Sequence, residues 1–228
     1  MSILINPFMF AAAGGGGPGI ALVAHTGAGS GNGNDVTTSG IDTTGGGSLI
    51  VEAWAKLLAG SGSNGDNQGN TYSNVASFVG NSPGAQMAYK KGGTVGSGHT
   101  FNFSGGSGGY PAICGAAFSG AKTTGGADDH NEHTQASGTT IQAGSVTPLV
   151  DGSVVIIFVG TSGTAVANSI DSGFTLLDSI AGDNTYKFGG HMFYKILGSG
   201  TAGVAVNPTI TLSASCEATA VAAVFPPA

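Results

Sequence analysis

The sequence predicts an all-β chain: two tandem antiparallel sandwiches, jelly-roll-like or Ig-like, that arise from an internal duplication and follow an extended N-terminal arm. Three observations predict it. Short apolar or alternating runs recur between clusters of Gly, Ser and Asn, which supply turns. No stretch gives a convincing helix. The runs also repeat at nearly constant spacing. Ser48-Leu49-Ile50-Val51 is answered by Ser153-Val154-Val155-Ile156, and Met87-Ala88-Tyr89-Lys90 by Met192-Phe193-Tyr194-Lys195, both 105 positions on. Tyr72-Ser73 is answered by Phe174-Thr175 at 102, Thr100–Ser104 by Thr209–Ser213 at 109, and Phe118 by Phe225 at 107. A steady offset that drifts only across glycine-rich loops marks a repeated unit.

Taken in order, residues 1–19 read as an arm and hinge. Ile3, Leu4, Ile5, Phe8, Met9 and Phe10 form an apolar set, and Gly14–Gly17 with Pro18 separate it from the first repeat. Such a set is a liability on a free monomer and suits an anchor that docks on a partner. The run has no basic segment before it and is interrupted at Asn6-Pro7, unlike a signal peptide.

Residues 20–121 form the first repeat. Its expected strands are Ile20–His25, Asp35–Thr38, Ser48–Lys56, Thr71–Phe78, Gln86–Lys91, Thr100–Ser104 and Ala112–Ser119. Leu49–Leu58 also has helix-forming residues, but its counterpart Val154–Val159 is β-branched and short, so strand wins. Apolar residues on both faces of that counterpart predict a central strand covered on both sides. Glu52 falls where the second repeat has Ile157 and reads as an exposed position. Residues 122–138 read as a polar linker and 139–228 as the second repeat, which Pro226-Pro227 ends.

Composition narrows the function. Charged residues make up 8% of the chain, the net charge is −6, and arginine is absent. The six lysines are scattered, which argues against nucleic acid and anionic membranes, since phosphate binding needs clustered cations. A surface of Ser, Thr, Asn and Gly suits close packing in an assembly, where burying charge is costly. No apolar run approaches the ~18 residues of a spanning helix. Cys114 and Cys216 have no metal or redox spacing and read as two free thiols.

Motifs are weak against 43 glycines. GxGxxG occurs at Gly14/Gly16/Gly19, Gly60/Gly62/Gly65 and Gly198/Gly200/Gly203, never between a strand and a helix. GxSxG occurs at 80–84 and 105–109, in loops and not at a nucleophile elbow. Asp128, Asp129, His130, Glu132 and His133 are dense enough to hold a divalent metal, although they match no zinc spacing and a solvated linker is the simpler reading. Asn64–Asn70 has calcium-loop composition without the alternating acids, and reads as a turn-rich hairpin. Trp54 and Tyr110 are candidates for stacking on a sugar, with a core role as the plainer alternative.

Leu-Ile-Asn-Pro-Phe and the glycine hinge at 4–17, Ile-Asp-Thr-Thr-Gly-Gly-Gly-Ser-Leu-Ile-Val at 41–51, Asp-Ser-Gly-Phe-Thr-Leu-Leu at 171–177 and Met-Phe-Tyr-Lys-Ile at 192–196 resemble virion-associated β-sandwich proteins of tailed bacteriophages. The resemblance implies a non-enzymatic structural protein on the surface of a phage particle, as decoration, adaptor or fibre component. It further implies contacts with other virion proteins, a homo-oligomer and no cofactor. A glycan-binding adhesin or receptor-binding module is the alternative.

Overall fold

The computed structural model describes residues 19–30, 33, 35–57, 62–75, 82–104, 109–182 and 188–228. The arm residues Ile3, Leu4, Ile5, Phe8, Met9 and Phe10 lie outside them. Among the described residues there is no helix, and every paired strand is antiparallel. The first half contributes β1 (Ala21–Gly29), β2 (Asp35–Thr37), β3 (Leu49–Lys56), β4 (Ser63–Asp66), β5 (Ser73–Asn74), β6 (Gly84–Lys91), β7 (Phe101–Ser104) and β8 (Ala112–Ser119). The second contributes β9 (Asp129–Ile141), β10 (Val154–Ser162), β11 (Ala167–Ile170), β12 (Thr175–Ile180), β13 (Phe188–Ile196) and β14 (Ile210–Phe225).

Three sheets result. One large sheet runs β1-β8-β3-β6-β5, the other runs β11-β14-β10-β13-β12 with β9 also on β14, and a small sheet runs β2-β7-β4. The apolar runs LIVEAWAK and VVIIFV take the central places, where both faces of a strand are covered, and β3 is buried along its whole length. Their pairing registers coincide. Leu49 faces Lys91 and Phe118, while Val154 faces Ile196 and Phe225, so the sequence offsets of 105 and 107 reappear as strand pairing. Ser73 faces Tyr89 as Thr175 faces Tyr194. Asp66 faces Phe101 as Ile170 faces Ile210.

The two large sheets also pack on one another, face to face. Leu49, Val51 and Ala53 of β3 pack with Val154, Ile156 and Phe158 of β10, together with Met87, Met192, Phe118 and Phe225, in one core between the two large sheets. The halves therefore share their central layer, which neither closes alone. The approach is tight: a Cβ on Gly160 of β10 would come 2.6 Å from the Ala55 Cβ of β3. On the outer face of β3, the small sheet supplies Val36, Phe101 and Phe103 against Ile50, Trp54 and Ile113. On the outer face of β10, Val155, Ile157 and Val159 are covered by Ile141, Val146, Phe174, Ile210 and Leu212. There the covering strands are continuous with the large sheet, because β14 is 16 residues long and β9 is 13.

Two element expectations need correction. The segment read as a linker, 122–138, is strand from Asp129 onward and pairs with β14 from Val224 to Cys216. Its polar sequence hid it, because an edge strand with a solvent-facing side needs no apolar run. Asn64–Asn70, read as a turn-rich hairpin, opens with the end of β4 (Ser63–Asp66), which pairs with β7. Of the strand expected over Thr71–Phe78, Ser73–Asn74 forms, and 76–80 lie outside the described residues.

Candidate functional site

The densest chemistry lies between β3 and the small sheet, in the first half. Asp66 ends β4, and its carboxylate accepts five hydrogen bonds. They come from the backbone amides of Gln68 and Asn70 (3.0 Å each), Asn70 Nδ2 (2.7 Å), the Tyr72 hydroxyl (2.7 Å) and His99 Nε2 (3.0 Å). His99 is held in place by the β-bridge between Ile41 and His99 and by stacking on Phe101. Its Nδ1 lies 2.8 Å from Thr43 Oγ1. Because the Asp66 carboxylate only accepts, the Nε2 proton belongs on His99, while the Thr43 hydroxyl also reaches the Gly96 carbonyl at 3.2 Å. Burial works against the Asp66 anion, but the hydrogen bonds from Asn70, Tyr72 and His99 outweigh it and hold the carboxyl below its ordinary range. Burial, and then the hydrogen bond to Asp66, raise the Tyr72 hydroxyl.

Glu52 of β3 points into the same layer, fully buried. Among the described residues neither carboxylate oxygen has a hydrogen-bond partner, and the Gly65 amide steadies the anion without reaching bonding geometry. Burial, followed by the Asp66 charge, pushes its pKa well up. Asn64 Nδ2 on β4 is buried without a hydrogen-bond partner too. The expectation of an exposed Glu52 is thus overturned, because the small sheet covers this face of β3. Trp54 beside it is core, its ring 4.2 Å from that of Phe103, and Lys56 lies buried over both rings. A Cβ on Gly115 would strike the Phe101 ring at 2.4 Å, so glycine there lets the small sheet settle.

Matched through strand pairing and the repeat offsets, four polar members of this layer have apolar counterparts in the second half. Glu52 answers to Ile157, Asp66 to Ile170, Tyr72 to Phe174 and His99 to Pro208. The polar cluster is a property of one half laid on a pairing pattern common to both. The repeat alignment held this signal in the Tyr72/Phe174 and Glu52/Ile157 pairs. Thr43, His99 and Asp66 stand in the order hydroxyl, imidazole, carboxylate, but Thr43 and His99 are fully enclosed and the hydroxyl faces no opening. The arrangement braces the loops at 41–43 and 96–99 against β4.

A second hydroxyl–imidazole pair lies in the other half. Exposed Ser179 on β12 places Oγ 2.9 Å from His191 Nδ1, and Thr161 Oγ1 lies 3.2 Å from Nε2 while donating to the Ala165 carbonyl. Burial drops the His191 pKa to about 4. An imidazole that weakly basic is a poor acceptor for a serine proton near neutrality.

The residues weighed as a metal cluster, with a solvated linker as the simpler reading, sit at and just before the start of β9 and do separate jobs. Asp129 Oδ2 accepts the Thr147 amide at 2.8 Å, and Asp128 Oδ2 accepts that of Leu149 at 3.4 Å. His130 Nδ1 and Glu132 Oε2 approach to 3.4 Å at the surface. Among the described residues no three His, Cys, Asp or Glu side chains gather in a metal-binding group. Glu132 and His133 instead line an open groove of about 540 Å³, with Asn131, Gln135, Gln142 and Asn207 around it. Tyr110 is half-buried with a φ of 45° and packs on Gly33. Cys114 and Cys216 are both free. No family model matches the chain, and no curated protein or solved structure does either.

Proposed function

We propose that this chain is a non-enzymatic structural protein of a phage virion, built from two copies of one jelly-roll-like or Ig-like unit and attached at the particle surface through its apolar N-terminal arm. The observation that carries the reading is the face-to-face packing of two large sheets in matching register, which makes a slab whose enclosed Asp66–His99 cluster is spent on internal bracing. Duplication of one unit accounts for the coincident offsets in β3/β10, β6/β13 and β8/β14. The charge-poor surface suits close packing against other virion proteins and further copies of the chain. Deleting residues 1–13 should leave the far-UV circular dichroism and the melting temperature within a few degrees of the full chain. The truncated protein should no longer co-sediment with assembled particles. Normal incorporation of the truncated chain would remove the arm from the mechanism.

The groove beside β9 favours a second reading, a glycan-binding module on the virion or a cell surface. Amide side chains of Asn131, Gln135, Gln142 and Asn207 converge there, with Glu132 and His133 at hand, which suits the hydroxyls of a sugar. On this reading a glycan array gives a specific signal that Gln135→Ala combined with Asn207→Ala reduces at least tenfold. An array that stays blank with and without calcium rejects it.

A further inference from the structure

The long strand β1 has β8 on one side and, among the described residues, no strand on the other. An open edge is a template for another strand unless charge, proline or brevity guards it. The other edges are guarded. β5 has two residues, β2 three, and β4 and β11 four each. β12 carries Asp178, whose carboxylate meets His25 of β1 at 3.1 Å, and β9 carries Asp129 and Glu132, with Asp129 and Asn131 already holding the 145–147 backbone. β1 is nine residues, ALVAHTGAG, with His25 its only titratable group and small side chains over its last three positions.

The chain that precedes β1 has a complementary character. Ile3, Leu4, Ile5, Phe8, Met9 and Phe10 are β-forming and uncharged, and Ser2–Phe10 matches the length of β1. Pro7 lacks an N–H and is tolerated on the outward side of an added edge strand. The intervening ten residues, Ala11–Ile20, are longer than the two to five of a tight hairpin, and Gly14–Gly17 with Pro18 let the chain run outward to a second copy as freely as back onto its own β1. Extended, they span about 30 Å, enough to leave one molecule and reach the next.

We infer that the open edge of β1 is the acceptor for the apolar arm of a second copy of this chain, which adds to the sheet as a strand. Main-chain hydrogen bonds along Ala24–Gly29 supply the pairing, and alternate arm side chains settle over the sheet. The inference rests on the arm being an attachment device and names what it attaches to.

The experiment places a photoreactive benzophenone amino acid at position 8 of the full chain and irradiates an equal mixture of light and ¹⁵N-labelled protein. Mass spectrometry is expected to map adducts to 21–29, with about half of them joining a light to a heavy copy. Val23→Lys, a charge at the exposed bulge on this edge, is expected to raise the concentration for half-maximal self-association at least tenfold while the fold is retained. Adducts confined to like-labelled copies mean that the arm closes its own edge, and adducts on other surfaces mean a different acceptor. Either result overturns the inference. Loss of assembly on arm deletion together with adducts elsewhere would leave the anchoring role standing and reject β1 alone.

Discussion

Asp66→Ala lowers the unfolding free energy by about 3–5 kcal/mol, the range for breaking a buried charge network by removing one partner. Five donors lose their acceptor at once, among them the half-buried Tyr72 hydroxyl and the buried His99 Nε2. The backbone amides of Gln68 and Asn70 lose the same cap, so the turn after β4 loosens and the pairing of β4 with β7 goes with it. Urea unfolding near neutral pH measures this. A loss below about 1 kcal/mol would mean that the network is not integral to the layer. The acid dependence is a second check. The folded protein holds the Asp66 carboxyl below its ordinary range. Its contribution is therefore complete above the unfolded-state value and is lost as pH falls through the folded one. The variant should show a correspondingly shallower loss of stability in acid.

Glu52→Met moves the other way. Glu52 is a buried carboxyl whose oxygens have no hydrogen-bond partners, at a position where the second half holds Ile157. Replacing buried ionic groups by well-packed apolar ones is commonly neutral or stabilising by about 1–4 kcal/mol. A gain within that range is expected here, because among the described residues no cationic partner offsets the desolvation of Glu52. Its folded pKa is raised. The folded protein thus keeps a proton that the unfolded chain releases, and wild-type stability falls as pH rises from the ordinary glutamate range through the folded value. The advantage of the methionine variant should be larger at pH 8 than at pH 4.5, read from paired thermal melts. A variant no more stable than the parent at pH 8 would show that the carboxyl has found compensation within the layer. If the variant is more stable yet fails to assemble, Glu52 has a role that outweighs its cost.

The two substitutions probe one asymmetry. The same strand pairing encloses Asp66, Tyr72 and His99 in one half and Ile170, Phe174 and Pro208 in the other. The apolar half shows that the pairing does not require the polar set. The first half instead uses hydrogen bonds to position β4 and the loops around His99, where the second half uses the continuous strands β9 and β14 to cover β10.

By itself the sequence determined the strands that are apolar and short, and their register. Leu49–Lys56, Val154–Val159 and Ala112–Ser119 stand where their composition puts them, and offsets of 105 and 107 reappear as matched pairing. A strand's alternation is local, and a repeated spacing preserves register, so both can be read from one chain. Tertiary structure alone decided what lies against each face. Nothing near Glu52 in the chain announces that β2, β7 and β4 will close over it, so a carboxyl read as exposed is buried. Nothing in Val51 or Ile156 says that the face they share with their neighbours will pack on the other half, and not within its own. The start of β9, rich in Asp, His and Glu, is strand because β14 offers it hydrogen bonds and Asp129 holds the 147 backbone, not because its own side chains favour a sheet. Burial is a property of surfaces brought together from separate parts of the chain, and sequence patterns report only the side chains that each surface offers.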